Sequence, residues 1–165
     1  MKNFVVEIDP EVCYRSGAFI TIPNPRFKDG LNVFAIDDDE DDLGMVFDAL
    51  DGNPKVKTIQ TMTDASESIR LFESGQIKPD LIFLDLNMPQ MDGFKTLECI
   101  RAIPDMENTP VVILTTSARI EDVRKSLRGT ATSFIVKPDN IDELKSKSTE
   151  VIQSLIEGTY LEKRL

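Results

Sequence analysis

From Leu31 onward, short apolar runs alternate with amphipathic stretches. LNVFAI (31–36) is such a run, and Leu43, Val46, Phe47 and Leu50 follow it at i, i+3, i+4 and i+7. That spacing places four side chains on one face of a helix. Asp51-Gly52-Asn53-Pro54 stops the helix, because Gly and Pro punctuate regular structure. KVKTIQT (55–61) alternates at period two and is rich in β-branched residues, which predicts a strand. Ala65, Ile69 and Phe72 return to helical spacing, with Gly75 as the stop, and LIFL (81–84) is a strand without a polar residue. Phe94, Leu97 and Ile100 predict a third helix, VVILT (111–115) a fourth strand, Val123 and Leu127 a weaker fourth helix, and FIV (134–136) a fifth strand. Ile141, Leu144, Val151, Ile152 and Leu155 form the apolar stripe of a long final helix.

Five strands and five helices in strict alternation predict an α/β fold. Strands without polar alternation are covered on both faces, which calls for a parallel sheet with helices on each side. Right-handed crossovers make it a doubly wound five-stranded sandwich. In such sheets the functional crevice lies beyond the carboxyl ends of the strands, here at Asp37–Asp42, Asp85, Thr115 and Lys137. Residues 1–30 stand outside the alternation. FVVEI and GAFITI read as two further strands before a Pro23-Asn24-Pro25 break, a short β-rich extension too apolar to be disordered. The expected division is an extension over 1–30, a folded domain over 31–158 and a tail over 159–165.

The length of 165 residues fits one domain. A net charge of -10 argues against nucleic acid, which is held by Lys and Arg on phosphates, and against an anionic membrane surface. No apolar stretch is long enough to span a bilayer, and MKNFVVEIDP lacks the pattern of a signal peptide. Cys13 and Cys99 make neither a disulfide framework nor a zinc pattern, so a reducing cytoplasm is the expected location and both read as small apolar residues. The chain has no histidine. It therefore contains no His-based triad, no zinc-histidine site and no phosphohistidine of its own.

The strand ends carry carboxylates (Asp37, Asp38, Asp85), a hydroxyl (Thr115) and an ammonium (Lys137). Converging carboxylates repel, and a hard divalent cation such as Mg²⁺ relieves this with oxygen ligands. A lysine and a hydroxyl beside it suit the remaining oxygens of a phosphoryl group, and an aspartate can itself become an acyl phosphate. An EF-hand is the other metal reading. Asp37, Asp39 and Asp41 fit its first ligand positions, but Asp42 stands where Gly is needed and Asp48 where Glu is needed. Asp39–Asp42 read as acids capping a helix start, where negative charge complements the dipole.

DDDEDD after the first strand, LDLNMPQMDG after the third, LTTSA after the fourth and FIVKP at the fifth together resemble the receiver domain of two-component response regulators, from about Leu31 to about Leu155. The resemblance implies that Asp85 is the phosphoacceptor. It implies that Asp37 and Asp38 hold Mg²⁺ together with Asp85 and the backbone carbonyl of Asn87, Asp38 being the more direct of the first two. Thr115 and Lys137 would engage phosphoryl oxygens, and Phe134 would be an aromatic that moves inward on activation. It further implies a cis Lys137–Pro138 bond, a Gly93 needed for positive φ at the turn into the third helix, and Asn87 and Ser117 as positions that tune phosphoryl lifetime. A sensor histidine kinase or a histidine phosphotransfer protein would supply the phosphoryl group. The surface made by the fourth helix, fifth strand and fifth helix would meet a downstream protein or a second copy. LTTSARIEDV and the acid run look like the single-domain regulators that accompany phytochrome-type kinases. Only GTYLEKRL follows the last helix, so no output module is expected. One departure is Arg128-Gly129-Thr130-Ala131, where the Gly comes one place earlier than in the family's Gly-Ala pair. The rival readings are an inert receiver-like interaction module and an aspartyl-phosphate phosphohydrolase of the haloacid-dehalogenase type. The hydrolase needs an Asp two residues after the nucleophile, where this chain has Asn87.

Overall fold

The computed structural model describes Phe27 and residues 29–116 and 131–157. Five strands, β1 (Leu31–Ile36), β2 (Val56–Met62), β3 (Leu81–Asp85), β4 (Val111–Thr115) and β5 (Ser133–Val136), form one parallel sheet of order β2-β1-β3-β4-β5. Among the described residues there are four α-helices: α1 (Glu40–Leu50), α2 (Ala65–Glu73), α3 (Gly93–Ala102) and α4 (Ile141–Glu157). The expected fourth helix at Val123 and Leu127, the FVVEI and GAFITI strands, Ser117 and Arg128–Thr130 lie outside the described residues.

Side-chain alternation along the strands divides the core in two. Leu31, Val33 and Ala35 of β1, Leu81 and Phe83 of β3, Val112 and Leu114 of β4 and Ile135 of β5 face α1 and α4. Phe34, Ile36, Ile82, Leu84, Val111 and Ile113 face α2 and α3, with Phe34 set edge-on to Phe72 at a 5.0 Å ring separation. β3 and β4 are buried along their whole length, as runs covered on both faces must be. β2 is an edge strand and departs from simple alternation. Val56 and Ile59 both pack on the α1–α4 side, because the register slips between Leu31–Val56 and Asn32–Thr58, so that Lys57 is passed over, and Met62 packs on the α2–α3 side. A bulge of one residue turns every following side chain to the other face.

Each of the first three helices begins on an aspartate that accepts backbone N–H groups. Asp39 caps α1, Asp64 caps α2 and Asp92 caps α3. Two apolar positions stray from the expected stripes. Phe47 on α1 is 42% exposed and Ala49 takes the buried place beside Leu43, Val46 and Leu50. Ile141 is exposed at the start of α4, whose stripe is completed by buried Ser148. No described helix is long and apolar enough to cross a membrane.

The chain moves from β1 outward to β2 and then returns to β3 on the other side of β1. The carboxyl ends of β1 and β3 therefore flank the point at which the winding reverses, which is where a crevice opens in a doubly wound sheet.

Candidate functional site

Four adjacent strands, β1, β3, β4 and β5, deliver Asp37, Asp85, Thr115 and Lys137 to one end of the sheet. Asp37 and Asp85 are each 4% exposed and Thr115 is fully buried, whereas Asp38 is exposed. Lys137 is anchored through its backbone N–H, which donates to the Thr115 carbonyl at 2.9 Å. Its ammonium then reaches back across the sheet. Nζ lies 2.6 Å from Asp37 Oδ2, 2.5 Å from Asp42 Oδ2 and 3.1 Å from Asp85 Oδ1.

The carboxylates are also tied to backbone. The Asp39 N–H donates to Asp37 Oδ1 at 3.1 Å, and the Asn87 N–H donates to Asp85 Oδ2 at 2.6 Å. The Asn87 side-chain amide donates to Thr115 Oγ1 at 3.0 Å and bridges the loops after β3 and β4. Burial pushes the Asp37 carboxyl up to about 6, against the pull of Lys137 and the Asp39 amide, and the neighbouring Asp85 charge adds to the rise. Burial alone would lower the Lys137 ammonium, but its hydrogen bonds to Asp37 and Asp42 and the charges of Asp37 and Asp85 hold it above its ordinary value. One ammonium thus faces several carboxylates, and the site carries excess negative charge.

One oxygen from each of Asp37, Asp38 and Asp85 lies within 4.8 Å of the others. This all-oxygen donor set fits a hard divalent cation, whose charge would offset the surplus. An EF-hand is not formed, because Glu40–Leu50 is helical and its acids project from α1.

The expected residues converge, with three corrections. The Lys137–Pro138 bond is trans, and no cis peptide occurs among the described residues; trans is the lower-energy form even before proline. Gly93 is not at positive φ. It is required instead by close approach, since a Cβ there would stand 2.1 Å from the Asp85 carbonyl oxygen and 2.7 Å from Leu86 Cα. Its N–H donates to the Leu86 carbonyl at 3.0 Å, which packs the start of α3 against the loop that carries Asp85. Asp42 was assigned with Asp39–Asp41 to the helix start, yet its carboxylate belongs to the pocket. The signal was its place four residues before Val46 and seven before Ala49, beside the buried stripe of α1. Phe134 is half-buried and packs on the α2–α3 side of the sheet, and Cys99 is a partly buried free thiol there.

A parallel sheet of this order, with an acidic pocket and a lysine at the carboxyl ends of its strands, is the architecture of a phosphoacceptor module. Residues 33–149 match the family model of the response regulator receiver domain, and the chain belongs to that family. It is 31% identical over 129 residues to the two-component response regulator ARR12 of Arabidopsis thaliana, a match covering 78% of this chain and 21% of that protein. The chain therefore spans about a fifth of that relative's length. The phosphorylated cyanobacterial phytochrome response regulator RcpA superposes with a TM-score of 0.70 at 25% identity, over 81% of this chain and 99% of that one. The Mn²⁺-bound form of response regulator Rcp1 gives a TM-score of 0.64 at 27% identity, over 82% and 97% of the two chains.

Proposed function

We propose that residues 31–158 act as a cytoplasmic phosphorylation switch, with Asp85 as the phosphoacceptor. The observation that carries this is the single ammonium of Lys137 held between Asp37 and Asp85 at the β1/β3 crevice. A carboxylate at a strand end is ordinary; two buried ones sharing a cation beside a buried hydroxyl form a place for a phosphoryl group.

In this reading an Asp85 oxygen attacks the phosphorus of a phosphohistidine on a sensor kinase or phosphotransfer protein. The new O–P bond gives an acyl phosphate, and the broken P–N bond leaves its electron pair on the donor's imidazole. The Asn87 N–H fixes the other Asp85 oxygen and so sets which oxygen attacks. Lys137 exchanges carboxylate for phosphoryl oxygen, and the Thr115 hydroxyl donates to another. Mg²⁺ held by Asp37, Asp38, Asp85 and the Asn87 backbone carbonyl would neutralise charge on the phosphoryl oxygens. Movement of Thr115 and Lys137 draws on the ends of β4 and β5, so that Phe134 turns inward. The face made by β5 and α4 then changes for a downstream protein or a second copy. The resemblance to the phytochrome response regulator RcpA supports a donor of the phytochrome-kinase type. The hydrolase reading finds no support at Asn87, whose side-chain amide donates to Thr115 and is neither an acid nor a base near neutral pH.

The test is intact mass spectrometry after incubation with acetyl phosphate and Mg²⁺, beside Asp85→Asn. One added phosphoryl group, absent in the variant and without Mg²⁺, is the expected result. Equal uptake by Asp85→Asn would overturn the assignment, and turnover of a phosphate ester would favour the hydrolase.

A further inference from the structure

Three carboxylates occupy Lys137 Nζ, and an ammonium has three N–H bonds to give. Two of them go to Asp37 and Asp42, at 2.6 and 2.5 Å, and hold the ammonium in place, while Asp85 Oδ1 at 3.1 Å is met as an ion pair. Resting on the phosphoacceptor reading above, we propose that Asp42 is a positioning residue that holds Lys137 back, so that phosphoryl uptake requires the Asp42–Lys137 pair to break.

The choice among the three partners follows from their surroundings. Asp85 is the acceptor and loses its charge as the acyl phosphate forms. Asp37 is buried and belongs to the carboxylate cluster that would hold the metal, so its charge is met there during uptake and its place is fixed. Asp42 differs in both respects. One third of its side chain is exposed, so water can replace the ammonium. It also sits in the first turn of α1, where the helix N-terminus favours its charge without Lys137. Asp42 is therefore the partner released at least cost. The neighbouring first-turn acids Glu40 and Asp41 are exposed and make no ion pair with Lys137, so the pairing is a property of Asp42 and not of the acid run. Breaking it also detaches the start of α1 from the loop after β5, which gives the switch a second place to register the phosphoryl group.

The experiment is a beryllofluoride titration in Mg²⁺ of the full chain, Asp42→Asn, Asp41→Asn and Asp85→Asn, with thermal midpoints recorded on the unliganded proteins. Removing the charge that holds Lys137 should tighten beryllofluoride binding by about fivefold in Asp42→Asn, the factor that corresponds to loss of one partly exposed ion pair. Asp41→Asn should match the wild type. Unchanged or weaker binding by Asp42→Asn overturns the inference, as does equal tightening by Asp41→Asn, which would make it a general effect of charge. Damage to the fold would lower the thermal midpoint and weaken binding, the opposite of the expected change. If the unaltered chain binds no beryllofluoride, the phosphoacceptor reading fails and this inference fails with it.

Discussion

The two ends of the central strands each carry a polar cluster built on aspartate, and they differ in how the charge is met. At the amino ends, Asp80 Oδ2 accepts the backbone N–H and the side-chain amide of Asn32, both at 2.9 Å, while the Asn32 amide oxygen accepts the Thr58 hydroxyl at 2.9 Å. The Asp80 N–H returns to the Asn32 carbonyl at 2.8 Å. This staple links β2, β1 and the start of β3 with neutral donors. At the carboxyl ends, Asp37, Asp42 and Asp85 compete for one ammonium, and Asp38 adds a further charge at the rim. A carboxylate that accepts N–H groups from a neighbouring strand holds strands in place. Carboxylates left in excess over their cations keep a standing affinity for a metal or for a neutralising reaction.

Lys137→Ala should break this contrast most sharply. It leaves Asp37 and Asp85 buried without their cation, and loss of one partner of a buried pair costs about 3–5 kcal/mol. Denaturant unfolding at pH 7 should show that loss, and a divalent cation should recover part of it. Asp37→Asn should act in the opposite direction. With its carboxyl raised to about 6, the folded protein binds more protons than the unfolded chain between about pH 4 and pH 6. This group's contribution to stability therefore falls as pH rises through that window. In the metal-free protein at neutral pH, Asp37→Asn should gain on the order of 2 kcal/mol; a difference between variant and wild type that does not grow with pH across the window would contradict it. Asp80→Ala should be the mildest, at about 1–2 kcal/mol for the lost acceptor of a half-buried N–H. Its loss should not respond to divalent cation, and phosphoryl uptake should remain intact.

Much of the fold was legible because it rests on local patterns. LNVFAI and VVILT mark β1 and β4 to the residue, and LIFL and FIV each fall one residue short of their strand. The misplacements have local explanations too. Phe47 satisfies i, i+3, i+4 spacing as well as Ala49 does, yet the face that packs against the sheet runs through Leu43, Val46, Ala49 and Leu50. Spacing alone cannot choose between two adjacent stripes when a small residue fits the narrower gap. Lys57 likewise slips out of register because a bulge in β2 depends on how the neighbouring strand lies.

The sequence by itself determined the parallel alternation, the strand-end placement of Asp37, Asp85, Thr115 and Lys137, and the family, through motifs each confined to a few residues. Tertiary structure decided the rest. Only the order β2-β1-β3-β4-β5 brings Lys137 across two strands to Asp37, 100 residues away in the chain. Only the approach of α3 to the Asp85 carbonyl makes Gly93 obligatory without positive φ. Asp42 became part of the pocket when the first turn of α1 was laid beside the loop after β5. Charge pairing is a matter of distances between distant residues, and those distances are set by packing.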